Sequence, residues 1–434
     1  MFCLGYYCSN HPPRGTQYKH NPPVAVSVPP GMLPNAPYAN TKHAVVHSWM
    51  PEHWYSVRAS TLRLIRNPHR YNSLLVNPSH LLPWHLKTCS TPATARRAQS
   101  HRLAHSLALP AVALAHSQNS YAVGGQSKAP DGGVVFNFSS GGFQGSIGQG
   151  GIGGEWFIEN VLEELDSGME WYHDVDAGKL YYAHNETGAI PATLAFEAVT
   201  TKVLLNLTGT QADPITDVSV RGITIRDTAY TYLDPHGAPS GGDWGLQRTG
   251  AVTLAGTENV VVDSSLLTRV DGLGVFISGY NRNLTISNST FEWIGGSAMA
   301  AWGDTSYAMD AAGKRTIPWP RGPDARGGNQ PIGTRIIGNV VTDIGVWQKQ
   351  SSMWFQATTA RSLIKGNVHF NGPRAGINVN DGMGGGDEIT ENLLLNTCRE
   401  SGDHGPFNSC KLHFVYRTFR SSRACRVAVS LMTN

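Results

Sequence analysis

A chain of 434 residues with 40% hydrophobic content can bury a substantial core, as one large domain or two ordinary ones. Its net charge of +3 hides opposed regions: residues 1–120 hold eleven Lys/Arg and a single acid, Glu52, residues 411–434 hold five Lys/Arg and no acid, and residues 121–410 hold eighteen basic against thirty acidic side chains. The acidic body argues against a nucleic-acid partner, and no apolar run approaches the length of a membrane span.

Residues 1–120 carry eleven of the seventeen His and fourteen of the twenty-five Pro but three of the forty-eight Gly, and no periodic pattern persists there. Two readings compete, a basic disordered arm or a segment not native to the domain; Trp49, Trp54, Trp84 and three Cys favour the second. Within it, Arg96-Arg97 followed by LAHSLALPAVALAHS has the layout of a displaced secretory signal or of an Ala/Leu-rich helix. Sequons at Asn137, Asn185, Asn206, Asn283 and Asn288 fit a chain in the secretory pathway or outside the cell. Cys398 and Cys410 lack zinc-type spacing, so no metal site is indicated by cysteine.

Residues 121–214 read as a Gly-rich linker, flexible over 132–154, and a flanking unit. In that unit 157–165 is expected to form a short helix, and 170–173 and 179–182 to pair as a hairpin across a turn at 176–178.

Repeats occupy 215–409. Ile225, Val262, Ile286, Ile336, Ile364 and Ile389 are each followed three residues on by Thr228, Ser265, Ser289, Asn339, Asn367 and Asn392, at intervals of 37, 24, 50, 28 and 25 residues. A unit near twenty-five with two insertions, rich in β-branched residues and with Gly at corners, means stacked coils. The Leu framework of leucine-rich repeats is absent and the Val/Ile/Thr content excludes helical repeats, leaving an all-β parallel β-helix. Equivalent residues of adjacent coils then lie about 4.8 Å apart, and the recurring Asn and Ser form an internal hydrogen-bonded ladder.

The last two repeats close in Asn378-Val-Asn380-Asp381-Gly382 and Glu400-Ser-Gly-Asp403-His404-Gly405. With these segments the chain resembles the right-handed parallel β-helix superfamily of pectate lyases and β-helix glycosidases. NDGxGGG and ESGDHGPFNS look like the catalytic region of a β-helix glycoside hydrolase group that includes β-xylosidases. The resemblance implies an Asp nucleophile paired with a Glu acid/base one coil later, which falls on Asp381 and Glu400. It departs after Asn408-Ser409, where such proteins continue with Trp and Asp/Arg and further coils; here residues 410–434 form an atypical basic tail, so the helix is expected to lack its last coils, and an inactive chain is one expected outcome.

Glycoside hydrolysis needs two carboxyl groups, about 5 Å apart for retention or about 6.5–9.5 Å for inversion. Counted from the aliphatic residue opening each repeat, Asp381 is at offset 17, Glu400 at 11 and Asp403 at 14, so Asp403 is nearer in register and both stay candidates. Arg374 could keep the nucleophile ionised, and His404, Asn378, Asn380 and Asn408 could bind substrate hydroxyls. Trp302, Trp347 and Trp354 offer faces for a sugar or pack in the core. Asp387 and Glu388 read as solvated turn residues; no cofactor is required, although acid-rich corners can take Ca²⁺. The expected partner is a poly- or oligosaccharide acted on by a monomer. A polysaccharide lyase or epimerase and a non-catalytic sugar-binding protein are the alternatives; the lyase loses ground because only Arg374 and Arg399 supply basic groups nearby.

Overall fold

The computed structural model describes residues 25–28, 41–51, 115–128, 134–141, 156–165, 170–183, 196–237, 245–303, 329–379, 385–399 and 405–409. From Leu205 onward the chain winds through three long parallel sheets, returning to each once per coil. Sheet I comprises Ser219–Arg221, Val261–Asp263, Thr285–Ser287, Arg335–Ile337, Leu363–Lys365 and Glu388–Thr390. Sheet II comprises Thr224–Thr228, Leu266–Val270, Thr290–Ile294, Val340–Ile344, Val368–Phe370 and Leu393–Leu395. Sheet III comprises Leu205–Thr208, Val252–Glu258, Val275–Arg282, Met299–Trp302, Trp354–Ala357, Ile377–Val379 and Phe407–Ser409. This is a right-handed parallel β-helix, the hand that parallel crossovers adopt. Among the described residues no helix is long and apolar enough to cross a membrane.

Val262, Ile286, Ile336, Ile364 and Ile389 form one inward file in sheet I, as the repeat spacing requires. The first coil departs from the expected alignment. Val220, not Ile225, pairs with Val262, while Ile225 pairs with Leu267 in sheet II and Thr228 with Val270. Both Val220 and Ile225 face the core, and with no Asn or Ser to mark the corner, spacing alone selects the wrong one.

The ladder is continuous along the corner from sheet I to sheet II. The backbone N–H of each rung donates to the side chain one coil on: Ile223 to Ser265, Ser265 to Ser289, Ser289 to Asn339, Asn339 to Asn367 and Asn367 to Asn392. The Asn rungs also return their amides to main-chain carbonyls, Asn339 Nδ2 to Ile286 O at 3.0 Å and Asn367 Nδ2 to Ile336 O at 2.9 Å. Just before each rung the chain turns through positive φ, at Ser264, Asn288, Gly338, Gly366 and Glu391, a conformation that Gly adopts without strain and that Asn tolerates better than β-branched residues.

An antiparallel sheet precedes the solenoid, with strands in the order Ala25–Val28, Val134–Gly141, Ala115–Lys128, Val45–Pro51 and Trp156–Glu159. Three of these strands begin within the first 120 residues, so the expectation that this whole region stands outside the folded body fails for them. Backbone pairing with 134–141 and 156–159 holds them there, and buried Val46 and His47 anchor one of them. For the same reason 134–141 is not flexible linker. The expected helix over 157–165 is instead the strand Trp156–Glu159 and one 3-10 turn, Leu162–Glu164. Asn160, at φ 58°, ends the strand and bonds the carbonyls of His43 and His173. The hairpin forms as expected, Trp171–Asp174 with Lys179–Tyr182. The displaced signal-like run falls outside the described residues up to residue 114.

Candidate active site

Pleat parity separates the two faces of sheet III. Val252, Val275, Met299, Trp354 and Ile377 point into the solenoid, so the intervening file of Thr253, Phe276, Ala300, Phe355, Asn378 and Asn408 points out. That outer file changes character along the stack. Phe276, Ala300 and Phe355 form an apolar cluster with Leu246, Leu273, Trp302 and Ala357, whereas the last two coils present Asn378 and Asn408. Asn408 Nδ2 donates to Asn378 Oδ1 at 2.6 Å. Asn378 is fully buried, and among the described residues its own Nδ2 has no hydrogen-bond partner.

Four residues before Asn378 the chain turns through Arg374, whose side chain is also fully buried. The next coil stacks directly on this turn, with Cys398 N–H donating to Arg374 O at 3.0 Å and Arg399 N–H to Gly372 O at 3.2 Å. Glu400 follows Arg399 directly in the sequence. The turn is supported from within by His369, which occupies the inward file of sheet II between Val341 and Leu394. Its Nδ1 bonds Val341 O at 3.0 Å, fixing the proton on Nδ1, and burial pushes its pKa down to about 4. A Cβ on Gly372 would lie 2.5 Å from His369 Nε2, so the turn closes onto the imidazole only because residue 372 is Gly.

Asn380, Asp381, Glu400, Asp403 and His404 lie outside the described residues. Their flanks are described. Asp381 follows Val379 by two residues at the C-terminal end of its strand, and Asp403 precedes Phe407 by four at the N-terminal end of the neighbouring strand. Asn378 and Asn408 stand between these two ends.

The tryptophans are not sugar platforms. Trp354 is wholly inside the solenoid, its Nε1 donating to Gln356 Oε1 at 2.7 Å. Trp302 points outward but is 3% exposed, with the Arg248 guanidinium 3.8 Å above its ring and Gly237 packed on its edge. Trp347 is buried as well. Asp387 is not a solvated turn residue either, because it accepts from Gln356 Nε2 at 2.8 Å and Ser362 N–H at 2.7 Å, and burial raises its pKa. Glu388 is exposed as read. Among the described residues no group of three or more His, Cys, Asp or Glu could hold a metal ion.

A second polar cluster was not anticipated. Asp271, after the strand Leu266–Val270, is partly buried beside Trp347, which packs with Tyr232 and with Val45 of the N-terminal sheet, and its pKa is raised to about 7, chiefly by desolvation. Asp271-Gly272 reads in sequence as an ordinary turn. Its surroundings come from Tyr232, Trp347 and, packed on them, Val45 more than two hundred residues earlier, and no local signal carries that.

The fold and the outer file of sheet III thus define a parallel β-helix protein with a buried polar turn at its C-terminal coils. A solved structure described as a glycoside hydrolase is similar in fold, with a TM-score of 0.53 and 15% identity over 91% of this chain and 70% of that one. No family model matches the chain, and no curated protein matches it at a significant level.

Proposed function

We propose that the protein is a carbohydrate-active glycoside hydrolase whose site lies on the outer face of sheet III at its last two coils. The observation that carries this reading is the change of the outer file from Phe276, Ala300 and Phe355 to the Asn378–Asn408 amide pair, at the coil boundary where Arg374 is buried. A buried guanidinium requires a counter-charge and acceptors. In this reading the acids of the adjoining sequence segments, Asp381, Glu400 and Asp403, take that role. The fold shared with a protein described as a glycoside hydrolase supports the same class.

In this scheme Asp381 attacks the anomeric carbon while Glu400 or Asp403 protonates the departing glycosidic oxygen; water then cleaves the glycosyl ester with that second residue acting as base. Arg374 holds a carboxylate ionised, and Asn378, Asn380, Asn408 and His404 bind hydroxyls of a poly- or oligosaccharide. The scheme draws on no cofactor.

The test is a screen of the chain against aryl glycosides and uronate polymers, with Asp381→Asn as the diagnostic variant. Its amide keeps the shape of the carboxylate but cannot attack, so turnover should fall by orders of magnitude with the fold intact. Substitution of the acid/base should spare substrates with good leaving groups and be rescued by azide. Full activity of Asp381→Asn would remove it from the mechanism. Release of unsaturated products absorbing in the near ultraviolet would move the protein to the lyase class.

A further inference from the structure

The junction between the N-terminal sheet and the solenoid is built around carboxyl groups rather than around a simple apolar contact. Val45 from the sheet packs with Tyr232 and Trp347 from the solenoid, and Leu233 and Val346 border them. Inside this patch His47 is fully enclosed, its ring stacked on Trp347 at 5.6 Å and edge-on to Tyr232 at 4.9 Å. Its Nδ1 meets Ser120 Oγ at 2.8 Å and its Nε2 meets Glu159 Oε2 at 2.9 Å. Asp271 lies on the solenoid side of the same patch. Its Oδ1 accepts from Trp347 Nε1 at 3.1 Å, and its backbone N–H donates to Thr228 Oγ1 at 3.1 Å.

The charged and titratable groups facing Asp271 are unusual in sign. From the N-terminal sheet comes Glu159, which His47 and, at 3.5 Å, the Tyr232 hydroxyl address. From sheet II comes Asp227, whose carboxylate is engaged by Arg269 at 2.8 and 3.1 Å and by Arg226. The insertion contributes Tyr230 and Tyr232, stacked at 4.7 Å, and His236, whose Nε2 is taken up by Gln348 and whose pKa burial lowers to about 4. The nearby cations are therefore directed at the neighbouring acids. Among the described residues, none pairs with the Asp271 carboxyl.

We propose that the contact between the N-terminal sheet and the β-helix is a proton-dependent latch, closed while Asp271 is protonated and weakened when it ionises. The protonated carboxyl is neutral beside two other acids and still accepts the indole hydrogen bond. The carboxylate would be a third negative charge in a partly buried patch where the described residues offer it no cation, and fuller hydration, its direct relief, favours the sheet lifting. Burial is the largest cause of the raised value near 7, the indole bond opposes it, and Glu159 and Asp227 add to it. The closed state therefore binds the proton more tightly than an open, hydrated state near the ordinary 3.8. Closure gains as pH falls below 7 and stops gaining near 4. By linkage the closing equilibrium changes roughly tenfold per pH unit in that window, on the order of a hundredfold between pH 8 and pH 5.

Hydrogen exchange on the full chain from pH 5 to pH 8, corrected for intrinsic rates, reads this directly. Peptides covering 41–51 and 156–165 should lose protection as pH rises toward 7, while a peptide covering 285–294 in the solenoid core stays constant. Asp271→Asn, the neutral isostere, should hold the junction peptides at their low-pH protection throughout. Trp347→Phe removes the indole donor and should move the midpoint upward, giving a second reading if the Asn variant is not recovered folded. Junction protection that is flat with pH in the unmodified chain, a slope unchanged in Asp271→Asn, or a midpoint unmoved in Trp347→Phe would overturn the latch.

Discussion

Replacing Asn367 by Ala would remove the busiest rung of the ladder. Asn367 Oδ1 accepts from Asn339 N–H at 2.9 Å and Asn339 Nδ2 at 3.0 Å, while its Nδ2 donates to Ile336 O at 2.9 Å and Asn392 Oδ1 at 2.8 Å. Two of these four partners keep a second bond, because Asn339 Nδ2 still reaches Ile286 O and Asn392 Oδ1 still accepts Asn367 N–H. The Ile336 carbonyl lies in the sheet I ladder against Leu363–Lys365, so the Asn339 N–H, on a fully buried residue, is the group left without a replacement. At about 1–3 kcal/mol for a buried donor left unmatched, with the vacated volume adding to it, the loss should be about 2–4 kcal/mol. The chain itself provides the control. Ser289 occupies the same rung two coils earlier, accepting Ser265 N–H at 3.1 Å and donating to Ser287 O at 2.7 Å. Asn367→Ser should thus restore the acceptor for Asn339 and cost about half as much as Ala. Guanidinium unfolding followed by far-ultraviolet circular dichroism measures both, as a midpoint shift at unchanged slope. Equal costs for Ser and Ala, or an Ala cost below about 1 kcal/mol, would refute the account of the ladder as a set of satisfied buried donors.

Two further outcomes follow from the core. Ile364→Asp places an unpaired charge in the sheet I file, where Ile364 has no exposure, and should cost several kcal/mol, visible as loss of the folded state in thermal melts at neutral pH. His369 is held neutral in the fold with a pKa near 4 against an ordinary 6.5, so the unfolded chain binds its proton first as pH falls. The stability lost between pH 6.5 and pH 4 on its account is about 3 kcal/mol, and urea titrations across that range should show a shallower decline in His369→Leu.

The solenoid was legible because one corner writes itself into the sequence. A side chain that must accept a hydrogen bond from the coil before it can only be Asn, Ser or a close equivalent, so Ser265, Ser289, Asn339, Asn367 and Asn392 recur at a fixed distance from an inward aliphatic residue. Where that marker is missing the alignment slipped. The first coil has Ile223 at the rung, which contributes only a backbone N–H, and the reading moved to Ile225, five residues beyond the true counterpart Val220. The N-terminal strands were missed for a different reason. Their pairing is long-range, as in Val45 opposite Ala122 and Glu159, and Pro- and His-rich surroundings carry no period that announces it.

Sheet III had no such marker, and this accounts for the two tryptophans. In a strand, inside and outside are decided by parity alone, and a shift of one residue exchanges them. Trp354 is in register with Met299 and Ile377, which puts it inside, while Trp302 is in register with Ala357 on the outer side under Arg248. Neither fact can be read from repeat spacing, because the 304–328 insertion and the loop at 345–353 displace the strands from the twenty-five-residue period. The same parity argument, applied once the register is known, sets Asn378 and Asn408 apart. The first coil of sheet III also has an amide in the outer file, Asn206, but the middle coils carry Phe276, Ala300 and Phe355, and the last two return to amides stacked on each other, one with a buried donor unmatched among the described residues. A solenoid gains nothing in stability from such a substitution, since an outward Phe or Ala serves the preceding coils. In the proposed function these amides face a substrate able to accept from Asn378 Nδ2, on the same coils whose closing segments hold Asp381, Glu400 and Asp403, and the aromatic faces have no part in it.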